Sequence, residues 1–282
     1  MNADNVALNN VAKLRPRSEV VMVVVAPLAR QLVRLGARWR LNPLHLVLSH
    51  GALGLVAALL IGFGTALWVA AVLLLLKTLI DNVDGGLARA TGQVTEMGRY
   101  LDTEVDFVVN IALFAALSAY GPGWLALLAF VLLTLLLTFD FNAEYLYRLR
   151  RDGVVAAGSP PPGAPRRWLE AARRIYRVLF EPQDRFARWL DRRFFETLYT
   201  GALKTAPRPL RLAWNDLFST ATLVNLGLST QLVVFAACLA IGRPFVYVYL
   251  VLMMSVYVVI IQLWRARRFR RRLADWREEQ HA

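Results

Sequence analysis

Apolar residues in this chain are gathered into long runs. A helix needs about 20 of them, at 1.5 Å rise each, to cross roughly 30 Å of hydrocarbon. Six stretches are long enough: about 45–64 (HLVLSHGALGLVAALLIGFG), 66–89, 98–119, 123–146, 217–241 and 245–264 (FVYVYLVLMMSVYVVIIQLW). The joints GFGT, AYGPG and IGRP are short and carry the Gly and Pro of tight turns. The pattern predicts an all-α integral membrane protein with six transmembrane helices.

Two segments have a different rhythm. In residues 20–40 an apolar half too short to cross is followed by Arg30, Arg34, Arg38 and Arg40 among Leu28, Leu32, Val33, Leu35 and Trp39. That predicts an amphipathic helix lying on the membrane surface. Residues 147–216 open with the Pro-stiffened linker DGVVAAGSPPPGAP. RRWLEAARRIYRVLF and RFARWLDRRFFETL follow, with Phe186, Trp189, Leu190, Phe194 and Leu198 at helical spacing. Two readings fit: a second surface-lying amphipathic pair, which is preferred, or a helix that docks a partner, including a second copy in a homodimer. The resulting division is 1–44 (cytoplasmic N-terminus with the amphipathic helix), 45–146 (four spans), 147–216 (basic cytoplasmic helical insert), 217–264 (two spans) and 265–282 (basic cytoplasmic tail).

Composition supports the membrane reading: 57% of 282 residues are hydrophobic, and the mean hydropathy is +0.44. The net charge of +13 points to anionic lipid rather than nucleic acid as the polyanionic partner. The single cysteine, Cys238, excludes an internal disulfide or a multi-cysteine metal site. The three short joints hold one basic residue, Arg243. The rest fall almost wholly on the other side, which the positive-inside rule makes cytoplasmic, with both termini there. The expected location is the cell's inner, cytoplasmic membrane.

The chemistry concentrates in DNVDGGLARATGQVTEMGRYLDTEVDF, residues 81–107, at the cytoplasmic ends of the second and third spans. Asp81 and Asp84 are three apart, and Asp102 and Asp106 four apart. Each spacing puts a pair on one helix face. Folding the two antiparallel spans together brings four carboxylates into one cluster, which repels itself unless cations enter. Hard oxygen donors favour magnesium or manganese, and two such ions would roughly cancel the charge. Gly85, Ala88 and Gly98 leave bare helix surface for a bulky ligand, and Arg89 can reach a phosphate. Lys77, one turn before Asp81, is either a balancing charge at the cavity or a structural ion pair. Asn110, one turn after Asp106, and Asn225 in the fifth span are candidate acceptor or cavity residues. Asp140 and Glu144, which end the fourth span, either bind the acceptor or pair with Arg148, and pairing is the preferred reading. His50, alone in an apolar span, is read as a satisfied polar residue without a role.

Asp81-x2-Asp84-Gly85-x2-Ala88-Arg89-x8-Gly98-x3-Asp102-x3-Asp106 resembles without departure the signature of the CDP-alcohol phosphotransferase (phosphatidyltransferase) family, class I. Eight fixed positions arise by chance in such a chain on the order of 10⁻⁷ of the time. The likeness extends over about 20–146 and 217–264, and the 147–216 insert lies outside it. The resemblance implies metal-dependent transfer of a substituted phosphate from a CDP-linked donor, usually CDP-diacylglycerol, to an alcohol, with release of CMP. By position, Asp81, Asp84, Asp102 and Asp106 would hold two metal ions, and Asp106 would also be the general base. Gly85, Ala88, Arg89 and Gly98 would contact the nucleotide and its diphosphate. The acceptor stays open among glycerol 3-phosphate, serine, inositol phosphate or another alcohol. Phe107 stands where members using a phosphorylated acceptor commonly carry Lys or Arg, which weighs against one. A transporter and a catalytically inactive member are the competing readings. Aspartates at helix ends rather than at the midplane argue against the first, and the intact signature against the second.

Overall fold

The structure, a computed structural model, describes residues 19–152, 166–201, 203 and 205–281. These residues are helical throughout, with no strand among them. Helix α1 (Met22–Arg38) buries Ala29 and Val33 against Val83 and exposes Arg30 and Arg34. Val23, Val24, Leu28 and Leu35 are exposed as well, so arginines and part of the apolar half share the outer face. Helix α2 (Pro43–Gly62) starts where Asn42 Oδ1 accepts a hydrogen bond from Leu44 N, with Pro43 fixing the first turn.

Helices α3 (Leu67–Ala90) and α4 (Glu96–Leu117) both pack on α2. The chain turns between them at Gly92, whose φ of +69° suits only glycine well. Thr95 then caps α4 by accepting a hydrogen bond from Gly98 N. Helix α5 (Gly123–Asp152) continues beyond residue 146, where the apolar run ends. Residues 153–165 and Arg148, with its expected pairing to Asp140 and Glu144, lie outside the described residues or side chains.

The insert forms α6 (Arg166–Leu179) and α7 (Glu181–Glu196). Phe194 and Leu198 do not lie on a surface. They pack on a second apolar cluster of Phe195, Trp214, Phe269 and Leu273, whereas Phe186, Trp189 and Leu190 stay exposed. The fifth apolar run is broken into α8 (Arg208–Trp214), α9 (Leu217–Val224) and α10 (Leu228–Ala240). At the α9–α10 break a Cβ on Gly227 would sit 3.0 Å from Glu19 Oε1 and 3.1 Å from Asp140 Oδ2, so only glycine lets these carboxylates approach. Glu19 Oε2 accepts from Thr230 N and Oγ1, holding the first turn of α10.

Helix α11 (Val246–His281) runs without interruption through the expected tail. Its 36 residues rise about 54 Å, so it projects well past a ~30 Å hydrocarbon core. On that projection Arg265 is buried. It stacks 3.9 Å from the Trp214 ring, donates to Trp214 O at 2.6 Å and reaches Asp191 at 2.8 Å. The basic tail is therefore a strut that anchors the insert.

The main core gathers Ala57, Leu74, Leu113, Leu133, Phe235 and Val251 from α2–α5, α10 and α11. Four segments are long and apolar enough to cross a bilayer: Pro43–Gly62, Gly123–Tyr147, Arg208–Ala240 and Val246–Glu279. The chain is a multi-pass membrane protein. α3 and α4 are long enough but carry Lys77, Asp81 and Asp84, and Asp102, Glu104 and Asp106, within their apolar stretches. Those charges converge.

Candidate active site

Asp81 and Asp84 sit on the last turns of α3, and Asp102 and Asp106 on the first turns of α4. The short turn between the two helices and their shared packing on α2 bring all four together. The centre of the cluster is His50 of α2, which is fully buried. Its Nε2 lies 3.1 Å from Asp84 Oδ2, 3.5 Å from Asp102 Oδ1 and 3.8 Å from Asp81 Oδ1. Its Nδ1 lies 4.0 Å from Asp106 Oδ1. The reading of His50 as a bystander is corrected: it reaches the aspartates because Gly51 and Gly54 let α2 come close to Val105 and Val109 of α4. Two glycines beside a histidine in an apolar span were the available signal.

Lys77 is 1% exposed and its Nζ donates to Asp106 Oδ1 at 2.6 Å. It serves as a buried ion pair with the candidate base, one of its two readings. A buried charge needs such a partner, and stripping one away typically costs about 3–5 kcal/mol.

The donors suit a divalent cation. One atom from each of His50, Asp81, Asp102 and Asp106 fits within a group whose members all lie within 4.8 Å of one another. Asp84 Oδ2, Asp102 Oδ1 and both His50 nitrogens are buried without an aligned hydrogen bond. Close polar atoms that aim past one another are arranged for a shared central charge. Four carboxylates against Lys77 and one imidazole also leave the cluster acidic. Oxygen donors suit a hard divalent cation such as magnesium or manganese.

The remaining expected residues surround this cluster. The Arg89 guanidinium folds over Gly85, with Nη1 3.2 Å from where a Cβ would be. Ala88 is half-buried on the following turn. Gly98 serves α4 itself, its N–H bound by Thr95 and its Cα facing Leu44. Asn110 lines a cavity of about 240 Å³ that opens beside Asp102 and Asp106. Asn225 is used elsewhere: its Oδ1 accepts from Val20 N at 2.8 Å and its Nδ2 donates to Ala221 O, which ties the start of the described chain to α9.

The outer wall of that cavity comes from the insert: Tyr176, Phe180, Gln183 and Asp184. Sequence reasoning missed all four, since nothing in their spacing says which surface they meet. Phe180 packs edge-on against Phe107 of α4, with centroids 5.3 Å apart. The Tyr176 hydroxyl donates to Asp184 Oδ2 at 3.1 Å, and Asn142 Nδ2 donates to Asp184 Oδ1 at 2.8 Å. Burial and the neighbouring Asp184 charge push the Tyr176 phenol up to about 12, so it remains a donor. Arg173 clamps α6 to the start of α4 through two hydrogen bonds to Glu96, at 3.0 and 2.6 Å, and holds the Glu96 carboxyl below its ordinary range.

Residues 41–157 match the family model described as CDP-alcohol phosphatidyltransferase. Over these residues the chain is similar to that family. Among curated relatives, a phosphatidylinositol phosphate synthase of Corynebacterium glutamicum is 37% identical over 97 residues, 34% of this chain and 42% of that protein. A bifunctional IPC transferase and DIPP synthase of Aquifex aeolicus is 33% identical over 86 residues, 30% of this chain and 20% of that protein. The inner membrane protein YnjF of Escherichia coli is 36% identical over 97 residues, 34% of this chain and 44% of that protein. The matched segment thus spans less than half of each of these relatives. No solved structure matches the chain. The matched residues contain all four aspartates and His50 but stop short of α6 and α7.

Proposed function

We propose that the protein transfers a phosphatidyl group from a CDP-linked lipid, CDP-diacylglycerol, to an alcohol, releasing CMP for phospholipid biosynthesis. The observation that carries this reading is the convergence of Asp81, Asp84, Asp102 and Asp106 from two helix ends onto one buried point. The fold is read as six spans in the cytoplasmic membrane, with α3 and α4 crossing and their aspartate-bearing ends at the cytoplasmic face. Both termini, the insert and the end of α11 lie on that side, where their arginines meet anionic lipid. A diacylated diphosphate has its reactive phosphorus at that same water–lipid boundary.

Asp81, Asp84, Asp102 and Asp106, with His50, would hold two divalent ions, magnesium or manganese. When bound, these would supply neutralising charge to the diphosphate and to departing CMP. Arg89 binds a diphosphate oxygen, and the bare surface at Gly85 and Ala88 admits the nucleotide. Asp106 accepts the proton of the acceptor hydroxyl, while Lys77 holds one oxygen of that carboxylate in place. The new bond joins acceptor oxygen to the lipid-bearing phosphorus, and the bond to CMP breaks in the same displacement. No covalent enzyme intermediate is formed, and trapping a phosphatidyl-enzyme would refute that step.

Purified protein with CDP-diacylglycerol, magnesium or manganese, and a panel of alcohols should release CMP with at least one of them. Asp106→Asn should abolish release while leaving nucleotide binding largely intact. CMP release by Asp106→Asn at near wild-type rate would remove the base assignment.

A further inference from the structure

The cavity beside Asp102 and Asp106 has one wall that the family match does not include. Tyr176 and Phe180 from the end of α6, and Gln183 and Asp184 from the start of α7, face Asn110 and Thr103 across it. The wall is firmly seated. Arg173 is bound to Glu96, Gln183 Oε1 accepts from Thr138 Oγ1 at 3.1 Å, and Phe180 packs on Phe107. At about 240 Å³ the space is smaller than the roughly 300–1,000 Å³ of a drug-sized ligand pocket. It suits a small polar molecule rather than a lipid tail.

Asp102 and Asp106 on its inner side belong to the candidate metal site, and Lys77 pairs with Asp106; Asp184 lies outside that site, and no Lys or Arg lines the cavity among the described residues. Asp184 is held by two neutral donors, the Tyr176 hydroxyl and the Asn142 amide, so its negative charge is oriented rather than cancelled. A phosphate brought into this space would meet that carboxylate, whereas hydroxyl or ammonium hydrogens would find acceptors.

We propose that the α6–α7 hairpin is the acceptor-selecting element of this site, and that it admits an alcohol carrying no phosphate and no net negative charge. This rests on the transferase reading above. Asp184 and Gln183 bind the acceptor's polar hydrogens, Phe180 limits its size, and Tyr176 orients Asp184. The hydroxyl that points away from α7 is then the one presented to Asp106.

The test compares full-length protein with Asp184→Asn, Asp184→Lys and Phe180→Ala variants in CMP release from CDP-diacylglycerol with manganese. The acceptors are glycerol, myo-inositol and serine on one side, and glycerol 3-phosphate and inositol phosphate on the other. Wild-type kcat/KM with one of the first three should exceed that with either phosphorylated alcohol by at least about tenfold, a discrimination one unmatched polar contact readily gives. Asp184→Asn should raise the acceptor KM and leave the donor KM unchanged, and Asp184→Lys should shift the preference toward the phosphorylated pair. Phe180→Ala should widen the range of accepted alcohols, with melting curves checking that each variant folds. A wild-type preference for a phosphorylated alcohol, or acceptor ratios unchanged in all three folded variants, overturns the proposal and leaves the transferase reading standing. No CMP from any acceptor overturns both.

Discussion

Replacing Gly54 by alanine tests whether the distance between α2 and α4 sets the site. A Cβ at Gly54 would lie 2.5 Å from Val109 Cγ1, 3.0 Å from Val109 Cγ2 and 3.2 Å from Lys77 Cδ. Carbon atoms in contact prefer about 3.5–4.0 Å, so the helices must part by about 1 Å. Val109 is 1% exposed and has no space to turn into. Overpacking of this kind costs about 1–3 kcal/mol, and alanine returns about 1 kcal/mol of helix propensity. The net loss of stability should be small, about 0–2 kcal/mol. The loss of function should be larger. His50 lies one turn away on the same helix, and moving a site component by 1 Å can cost ~10²-fold in rate. Gly62→Ala is the internal control, since its Cβ would meet Ala116 Cβ of the same partner helix at an ordinary 3.6 Å. The assay is CMP release at saturating donor, with a thermal melt of each variant in the same detergent. Gly54→Ala should fold and lose about 10²-fold in activity, with Gly62→Ala unchanged in both. Wild-type activity in a folded Gly54→Ala protein would refute the claim that close approach of α2 builds the site.

Three further outcomes are expected. His50→Gln should lower manganese affinity by at least about tenfold and magnesium affinity less, because the lost donor is the nitrogen; equal losses, read by manganese and magnesium titration of intrinsic fluorescence, would remove His50 from the ligand set. Adding either metal to chelator-treated protein should raise its melting temperature, by the equivalent of about 2.7 kcal/mol at one hundred times Kd; an unchanged melt across the titration counts against a metal site. Arg173 lowers the Glu96 carboxyl from its ordinary 4.5, so this clamp contributes fully above that pH and is lost as pH falls through the lower folded value. Hydrogen-exchange protection in α6, taken relative to the intrinsic rate at each pH, should therefore hold from neutral pH down to the ordinary glutamate range and fall below it, and Glu96→Gln should show the lowered protection at neutral pH.

The aspartate cluster was legible because a helix converts spacing into direction, and a short turn between two helices leaves only one way to bring their ends together. Asp81, Asp84, Asp102 and Asp106 needed nothing beyond those two local facts. His50 needed a third helix, placed by the glycines that face α4, and no pattern within α2 alone names its partner. The break at Asn225–Gly227 was hidden for a different reason. Hydropathy averages over a window, and residues 217–241 are apolar enough to conceal a glycine required only because Glu19, some 200 residues earlier, folds back onto it. The Arg265 strut was hidden similarly, since a run of arginines reads as a solvated tail until Trp214 offers one of them a ring to cover.

Of these hidden features, His50 lies inside the matched segment, whereas the Gly227 break and the Arg265 strut lie outside it. The catalytic pattern is local in sequence and falls inside the matched segment, residues 41–157. The parts that shape the second half of the site are long-range: Tyr176 and Asp184 against α4 and α5, Arg265 and Trp214 holding the insert from behind. Chemistry that every member must perform can be written into one helix–turn–helix stretch. On the proposal above, acceptor choice would depend on α6 and α7, whose contacts arise only once the bundle has formed. Asp106 sits on the boundary between the two. Lys77 grips one of its oxygens from within the matched segment, and the insert-walled cavity begins at the same side chain. If Asp106 is the base proposed above, a carboxylate held from behind by a buried cation and facing an exchangeable wall would keep its proton-accepting role while the alcohol presented to it varies.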